Sequence, residues 1–402
     1  MSILEVFLVF LRLGLTSFGG PVAHLGYFRQ DIVVHRGWLD EAAYADLVAL
    51  CQFLPGPASS QVGIALGIRR AGLPGGVAAW IGFTAPSAAA LILFAYGVAH
   101  FGELESAGWL TGLKTAAVAV VALAVWGMAN NLCPDRPRVA IAIVATVGVL
   151  AWPTAWGQLL VIAAAGAIGW IFLRPCKTDD LRQQQFRVNR AVAIVCLVAL
   201  GAILVGAPVL QRAVGSAAIS ETLQVFDSFF RAGSLVFGGG HVVLPLLKEL
   251  VVSPGWVTPS EFIAGYGATQ AVPGPLFTFS AYLGSSLDVE SGPKGWAGGL
   301  FALASIFLPS FLLVIGTVPF WDRLRGWNSF GGALRGINAA VVGLLLAALY
   351  DPVWTSAIHE AEDFAMALLA LGLLAIWKWP PWLVVLLAAL AGQGLVYLDL
   401  PF

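Results

Sequence analysis

Apolar stretches of about 20 residues recur along the whole chain, and an α-helix of this length can cross roughly 30 Å of hydrocarbon. Of the 402 residues, 59% are hydrophobic and only 11% are charged, whereas an average soluble domain has roughly 25% charged residues. The sequence therefore predicts an all-α polytopic membrane protein. The 21 basic and 22 acidic residues nearly cancel, which argues against a protein that binds nucleic acid through bulk positive charge.

The chain contains the same pattern twice. The motif F-x-R-x-G-x-x-x-F-G-G occurs at residues 10–20 and again at 229–239, and a Pro-Gly-Pro motif follows each copy, at 55–57 and 273–275. Each half contains about six hydrophobic segments, and one further segment, 190–210, lies between the halves. An odd segment between two repeats reverses the second repeat in the membrane. The pattern thus predicts two inverted-topology repeats with broken or re-entrant helices, an architecture typical of secondary transporters.

The predicted domains are a first membrane domain at 1–175, a polar cytoplasmic linker with a connecting transmembrane helix at 176–212, and a second, inverted membrane domain at 213–402. Sorting the Lys and Arg residues of the loops onto alternate sides gives thirteen on one side and four on the other. Because basic residues favour cytoplasmic loops, we expect a cytoplasmic N-terminus and an external C-terminus. If the first two segments of each half re-enter instead of spanning, the division becomes fourteen to three, so charge does not separate these alternatives.

Four basic residues lie inside apolar segments and form two repeat-matched pairs, Arg12 with Arg231 and Lys114 with Arg335. A charge at bilayer depth costs about 2.5–3.5 kcal/mol even on the lenient insertion scale. All four are candidate substrate ligands, although Lys114 and Arg335 lie near segment starts and could instead extend to lipid headgroups. Asp227 precedes Arg231 by one helical turn and can pair with it. Arg12 has no carboxylate at the matching place, so we expect it to be the freer anion ligand.

Each half also carries two sites at which a helix must break. Proline removes a backbone donor and glycine tolerates left-handed backbone angles, so backbone N–H groups and helix N-termini are freed there to bind an anion. The candidate substrate-binding residues at these breaks are Gly19, Gly20, Pro55, Gly56, Pro57, Gly238, Gly239, Pro273, Gly274 and Pro275. Gln52 and Gln270 precede the two Pro-Gly-Pro motifs and are candidate donors to the substrate, with cross-helix packing as the alternative.

Candidates for proton or charge coupling are Asp46, Asp227, His24 and His241, because histidine and membrane-embedded carboxylates can relay protons. The sequence has no Walker loop, no dinucleotide fingerprint and no cluster of His, Cys and carboxylates at metal-ligand spacing. We therefore expect no cofactor, no metal and no enzymatic activity, and an intramembrane oxidoreductase has little support. From the residues alone, the chain is predicted to be a secondary transporter or channel for a small anion.

The paired F-x-R-x-G-x-x-x-F-G-G and Pro-Gly-Pro motifs resemble those of the chromate ion transporter (CHR) family, and more closely its long-chain, two-domain members. This resemblance covers nearly the whole chain outside the linker helix. It implies chromate export across the bacterial inner (cell) membrane and chromate resistance. The implied partners are the chromate anion and the lipid bilayer, and a homodimer is a possible assembly.

Export of a divalent anion is physically reasonable, because one charge crossing the membrane is worth ~2.3 kcal/mol per 100 mV. A dianion leaving a negative interior gains roughly twice that, so the membrane potential alone can drive export and proton coupling is an optional addition. Sulfate has the same tetrahedral shape and charge as chromate. Uptake of sulfate or a related oxyanion is therefore the alternative function, and a passive anion channel is the third.

Overall fold

The computed structural model describes residues 2–17, 20–100, 108–173, 188–214, 216–236, 243–321, 328–355 and 357–397. Within these ranges all regular secondary structure is helical. Among the described residues, five helices are long and apolar enough to cross a membrane, namely Ala58–Val98, Gly108–Asn130, Arg190–Gln211, Gly295–Phe320 and Gly331–Asp351. The predicted all-α polytopic fold is confirmed.

The first half begins with a helical hairpin that enters and leaves on one side. Helix α1 (Ile3–Thr16) has 14 residues and is about 21 Å long, too short to cross the hydrocarbon. After the break at Ser17, α2 (Gly20–Phe28) and a π-helical turn (Arg29–His35) lead back. Arg70 joins both ends of this path, since its Nη2 lies 3.3 Å from Glu5 Oε1 and its guanidinium lies 4.7 Å from the Trp38 ring centroid.

A second hairpin follows and leads into a membrane-crossing helix. Helix α3 (Glu41–Phe53) ends before the first Pro-Gly-Pro motif, and α4 (Ala58–His100) starts after it. The path of α4 bends at Ala71 and Gly72, where Gly72 has φ 69° and ψ −165°. The arm after this bend crosses to the other side, where the Tyr96 hydroxyl accepts a hydrogen bond of 2.9 Å from the Trp296 backbone N–H.

The second half repeats the two hairpins from that other side. They are formed by α9 (Ala217–Leu235), α10 (Val243–Leu247) with the π-helical turn Lys248–Val252, α11 (Pro259–Ala271), and α12 (Phe279–Ser286) preceded by the 3-10 turn Leu276–Thr278. Glu221, in the first turns of α9, accepts from the backbone N–H groups of Glu290 at 2.9 Å and Ser291 at 2.6 Å. The Asp288 N–H donates to the Trp256 carbonyl at 2.9 Å, so both hairpins return to the side on which they entered.

These contacts settle two features of the topology. Arg70 and Tyr96 lie at opposite ends of the long arm of α4, so the hairpins of the two halves enter from opposite sides, and the inverted-repeat prediction is confirmed. The hairpins re-enter and do not span. Lys248 Nζ binds Asp351 Oδ1 at 2.7 Å, which places Lys248 on the side of Asp351, whereas Arg36 returns to the side of Arg70. This arrangement corresponds to the fourteen-to-three division of the loop cations.

The remaining helices, apart from the one that connects the halves, pack against helices of the other half. They are α5 (Gly108–Leu132), α6 (Arg136–Ala151), α7 (Ala155–Phe172), α8 (Arg190–Ala213), α13 (Gly295–Thr317), α14 (Asn328–Ala348), α15 (Ala361–Ala375) and α16 (Pro381–Tyr397). Helix α5 of the first half packs against α15 and α16, and α14 of the second half packs against α6 and α7. The main packing partners of the connecting helix α8 among the described helices are α9 and α13, both in the second half.

Candidate functional site

The hairpin tips of the two halves meet and exchange backbone hydrogen bonds. The Gly274 N–H donates to the Ser17 carbonyl at 3.0 Å, and the Gly56 N–H donates to the Val236 carbonyl at 2.5 Å. Ser17 and Val236 are repeat mates, as are Gly56 and Gly274. Each Pro-Gly-Pro motif therefore binds the end of the first helix of the other half, and two broken segments from each half converge inside the protein.

Glycine is required at the centre of both Pro-Gly-Pro motifs. Gly56 has φ 113° and Gly274 has φ 105°, angles that L side chains rarely adopt. A Cβ at Gly56 would lie 2.8 Å from Gln61 Nε2 and 3.0 Å from Ser310 Oγ, and one at Gly274 would lie 2.7 Å from Ser87 Oγ. Ser87 and Ser310 are themselves repeat mates. The two contacts Gly274–Ser17 and Gly56–Val236, called crossings below, therefore have similar surroundings.

A cavity of about 210 Å³ lies beside the Ser17–Gly274 crossing. It is lined by Gly20, Val120, Leu123, Ala124, Thr269, Gln270, Val272, Gly274, Leu276 and Pro381. A water molecule occupies about 30 Å³ of the liquid, so the space accommodates a small oxyanion with some water. Helix α2 begins at Gly20, and the N–H groups of a first helical turn have no intrahelical acceptor. Gln270 Nε2 is buried without a hydrogen-bond partner among the described residues.

The cavity thus brings together three predicted substrate ligands, Gly20, Gln270 and Gly274. Its described lining contains no Lys or Arg, so none of the four predicted cations faces it. Gln52, the mate of Gln270, is exposed on α3. One carbonyl of each Pro-Gly-Pro motif is satisfied by a nearby side chain. Pro55 O accepts from Gln61 Nε2 at 2.6 Å, and Pro275 O accepts from Thr278 Oγ1 at 2.7 Å.

The four membrane-embedded cations lie in different surroundings. Arg231 is held by Asp227, with Nε and Oδ2 2.7 Å apart, and by the Leu204 carbonyl, 2.6 Å from its Nη2. For its mate Arg12, no described residue supplies a hydrogen bond or ion pair to the guanidinium. Leu8 and Leu15, on the same side of α1, are 52% and 54% exposed. Arg12 therefore lies near the C-terminal end of α1, on the exposed face of the helix and not on the face that Val9 and Phe10 bury.

The other matched pair lies farther from the crossing. Arg335 interacts with Asp135 in the turn between α5 and α6, where the pKa of the Asp135 carboxyl is lowered chiefly by its hydrogen bonds from Arg138 and to a small extent by Arg335. This position, at the end of a membrane-crossing helix, favours the headgroup alternative for Arg335. Lys114 is partly buried on α5.

Of the four candidate coupling residues, the structure describes the side chains of Asp227 and His24, and His24 is buried. Its ring is 1% exposed, Nδ1 lies 3.3 Å from Ser59 Oγ, and it packs edge-on against Phe83 with ring centroids 5.3 Å apart. The remaining predictions, on Gly19, Gly238, Gly239, His241 and the side chain of Asp46, lie outside the described residues.

The sequence prediction missed a set of buried polar residues near the tips, among them Ser17, Ser60, Gln61 and Thr84. All four are at most 3% exposed, and each has an oxygen without a hydrogen-bond partner among the described residues. A comparison of the repeats would have found them, because the mates of Ser17, Gln61 and Thr84 are Val236, Phe279 and Phe307.

Comparison with known proteins places these features in one family. A family model described as chromate transporter matches residues 4–170 and 223–393, one match for each repeat. The chain belongs to the chromate transporter family. It is 30% identical to the chromate transport protein of Pseudomonas aeruginosa over 405 residues, covering 98% of this chain and 92% of that protein.

Two further relatives in this family span most of the chain. The probable chromate transport protein of Synechococcus elongatus is 25% identical, with 95% of this chain and 93% of that protein covered. The chromate transport protein of Cupriavidus metallidurans is 26% identical, with 92% and 87% covered. No solved structure matches the chain.

Proposed function

We propose that this protein exports chromate from the bacterial cytoplasm across the inner membrane. The observation that carries the proposal is the meeting of oppositely oriented hairpin tips around a cavity lined by Gly20, Gln270 and Gly274. Unwound backbone at membrane depth is tolerated only where protein buries it or water reaches it. Such broken helices form the substrate sites of inverted-repeat transporters.

The chemistry of this cavity suits an oxyanion. The α2 N-terminus at Gly20 carries partial positive charge, and the Gln270 amide supplies a buried donor. A tetrahedral dianion offers several acceptor oxygens to such groups. Arg12, on the helix that ends at Ser17, is the proposed cation that draws the anion toward the tips, because its guanidinium has no partner among the described residues. Arg231, in contrast, is proposed to have a structural role.

The proposed orientation follows from the loop charges. The side that holds Arg70, Arg136 and Arg138 carries fourteen loop cations against three on the other, and basic loops stay in the cytoplasm. The N-terminus is then cytoplasmic, and the acidic loop after α14 is external. A dianion leaving the cell gains about 4.6 kcal/mol per 100 mV from the membrane potential, so export needs no chemical energy source.

Transport would proceed by relative movement of the two halves. The tips are joined at the two crossings by the bonds Gly274–Ser17 and Gly56–Val236. Rocking of one half against the other would break one crossing at a time and open the cavity to alternate sides. The two inverted hairpin pairs would make the inward-open and outward-open states similar after rotation about an approximate two-fold axis in the membrane plane.

Flux of labelled chromate into inside-out vesicles tests the proposal, with membrane voltage and pH varied separately and sulfate added as competitor. We expect saturable uptake that increases when the vesicle interior is made positive. Vesicles with no expressed protein are the control for leakage. Transport of sulfate but not chromate would favour the sulfate carrier, and flux that never saturates would favour a passive channel.

A second test addresses resistance. Cells that express the protein should grow at chromate concentrations that stop the growth of control cells and should accumulate less labelled chromate. Equal accumulation in both strains would contradict export.

A further inference from the structure

The two halves differ at buried positions that the repeat makes equivalent. Ser17, His24, Ser59, Gln61 and Thr84 of the first half are all at most 2% exposed. Their repeat mates are, in the same order, Val236, Val243, Phe277, Phe279 and Phe307, which are likewise at most 2% exposed. Each mate is apolar. At these five positions the second half has packed apolar side chains, including Phe277 and Phe307 with ring centroids 6.0 Å apart, whereas the first half has polar groups. The nearby Ser60 is matched by a buried threonine, Thr278, whose hydroxyl is already satisfied by the Pro275 carbonyl at 2.7 Å.

Most of these polar groups have unused hydrogen-bonding capacity. Six of the buried atoms without a partner among the described residues belong to this region or to Ser310, namely Ser17 Oγ, His24 Nε2, Ser60 Oγ, Gln61 Oε1, Thr84 Oγ1 and Ser310 Oγ. These six residues are called the polar cluster below. Buried polar groups are nearly always paired, because leaving them unpaired is costly. These six groups are therefore available to bind a ligand or water.

Two members of the cluster are brought together at Gly56, and His24 contacts residues next to two others. His24 Nδ1 lies 3.3 Å from Ser59 Oγ, and its ring packs on Phe83; Ser60 and Thr84 are the next residues in the sequence. At the other tip, Gln61 Nε2 and Ser310 Oγ both lie against Gly56. The cluster also adjoins the cavity, because the Ser17 carbonyl accepts the Gly274 N–H and Gly274 lines that space.

The hydrogen-bond donors of the cluster suit an anionic ligand, whose oxygens accept hydrogen bonds. Four members carry hydroxyl groups that can donate. If Ser59 donates to His24 Nδ1, the neutral ring carries its proton on Nε2 and donates there as well. Helix α4 starts at Ala58, and the N–H groups of its first three residues, the last of which is Ser60, have no intrahelical acceptor. Gln61 Oε1, the one member that only accepts, can accept from a neighbouring hydroxyl.

We propose that the transported oxyanion is bound by this polar cluster, through neutral donors supplied mainly by the first half, while the matched region of the second half is a packed scaffold. The inference rests on the proposed function, since it names the residues that bind the same substrate. The anion passes from the cavity at Gly20 and Gly274 to Ser17 and then to the hydroxyls at the start of α4. Transport is thus functionally asymmetric although the fold is symmetric.

The test compares Thr84→Val and Ser60→Ala with Thr317→Val. Thr317 is 8% exposed on α13, and its hydroxyl is satisfied by the Leu313 carbonyl at 2.7 Å. We expect the two cluster variants to raise the chromate concentration for half-maximal vesicle uptake at least tenfold. Their Tm should stay equal or rise, because each variant removes an unpaired buried oxygen. Thr317→Val should keep wild-type half-saturation.

The outcomes separate the inference from the proposed function. Wild-type half-saturation in both folded cluster variants would overturn the inference while chromate export stands. If wild-type vesicles carry sulfate but not chromate, and the same variants weaken sulfate uptake, the chromate assignment fails and the oxyanion site stands. Thr84→Ser, which keeps the hydroxyl, must restore uptake. A Thr84→Ser variant as impaired as Thr84→Val would show that packing, and not hydrogen bonding, matters at this position.

Discussion

The Arg231 guanidinium donates to the carbonyl oxygen of Leu204, with Nη2 and the oxygen 2.6 Å apart. Leu204 lies four residues before Pro208 in α8, and proline has no backbone N–H, so the helix itself leaves this carbonyl without a donor. The same side chain binds Asp227 through Nε. Arg231 of α9 thus supplies the hydrogen-bond donor that Pro208 cannot supply to the Leu204 carbonyl, and this bond joins α8 to α9.

This network predicts a non-additive effect on stability. The Arg231 and Asp227 side chains are only 18% and 15% exposed, so removing one partner leaves the other buried and unpaired. Arg231→Gln and Asp227→Asn should each lower the free energy of unfolding by about 3 kcal/mol, and the double variant should cost clearly less than the sum. Thermal unfolding in detergent measures this. Arg138→Gln, which breaks a pair with the 44%-exposed side chain of Asp135, is the control and should change little.

The repeat mates Arg12 and Arg231 should respond oppositely to the same substitution. Arg12→Gln removes no described ion pair, so its Tm should match that of the wild-type protein, while chromate uptake should fall at least tenfold. Arg231→Gln should mainly lower the Tm. Paired Tm and vesicle-flux measurements on the two variants check this. Normal uptake by Arg12→Gln would remove Arg12 from the anion path.

The glycines at the two crossings should not tolerate alanine. Gly56→Ala and Gly274→Ala impose a Cβ at φ 113° and 105°, which costs about 1–3 kcal/mol of strain at each position, and both variants should show a lower Tm and weaker uptake. Gly26→Ala is a matched control, because nothing lies within 4 Å of the added Cβ and alanine favours the helix. Adding Ser87→Ala to Gly274→Ala should recover part of the loss, since it removes the Ser87 Oγ contact but not the strain.

Cysteine labelling should distinguish re-entrant from spanning hairpins. In a background without the four natural cysteines, a membrane-impermeant maleimide should label Glu249→Cys in intact cells and should label Arg36→Cys only after permeabilisation. Spanning segments predict the reverse for both. Glu290→Cys and Arg138→Cys report on sides that do not depend on the hairpins and should be external and cytoplasmic, respectively. Reversal of all four positions would mean that the whole orientation is inverted.

Much of this fold follows from the sequence because it depends on local chemistry. Apolar segment length, the duplicated motif and the helix-breaking Pro-Gly-Pro sites predict an inverted, broken-helix membrane protein. The return arms are not evident as apolar segments, because Arg29 and Asp31 interrupt the first and Lys248 and Glu249 interrupt the second. Such residues are accommodated by local pairing, as Asp31 Oδ2 accepts from Arg36 Nε at 2.9 Å.

The candidate site was less predictable because it depends on contacts between distant segments. Sequence matching treats Arg12 and Arg231 as equivalents, yet among the described residues it is Arg231 that bonds to α8, through the Leu204 carbonyl. Gln52 and Gln270 also match, and only Gln270 reaches the cavity. The pairing of Ser17 with Gly274 joins residues in opposite halves, and no local pattern specifies it.

The exchange of backbone bonds between the tips has a consequence for how the chain is made. Gly274 emerges from the ribosome after Ser17, and at 5–20 residues per second the delay is roughly 15 to 50 seconds. During that interval the Ser17 carbonyl lacks its native donor, and the Gly56 amide lacks its native acceptor, Val236, for roughly 9 to 36 seconds. A chain that lacks the second repeat therefore lacks the native partners of both groups, so the tips of the first repeat reach their native backbone pairing only after the second repeat has been made.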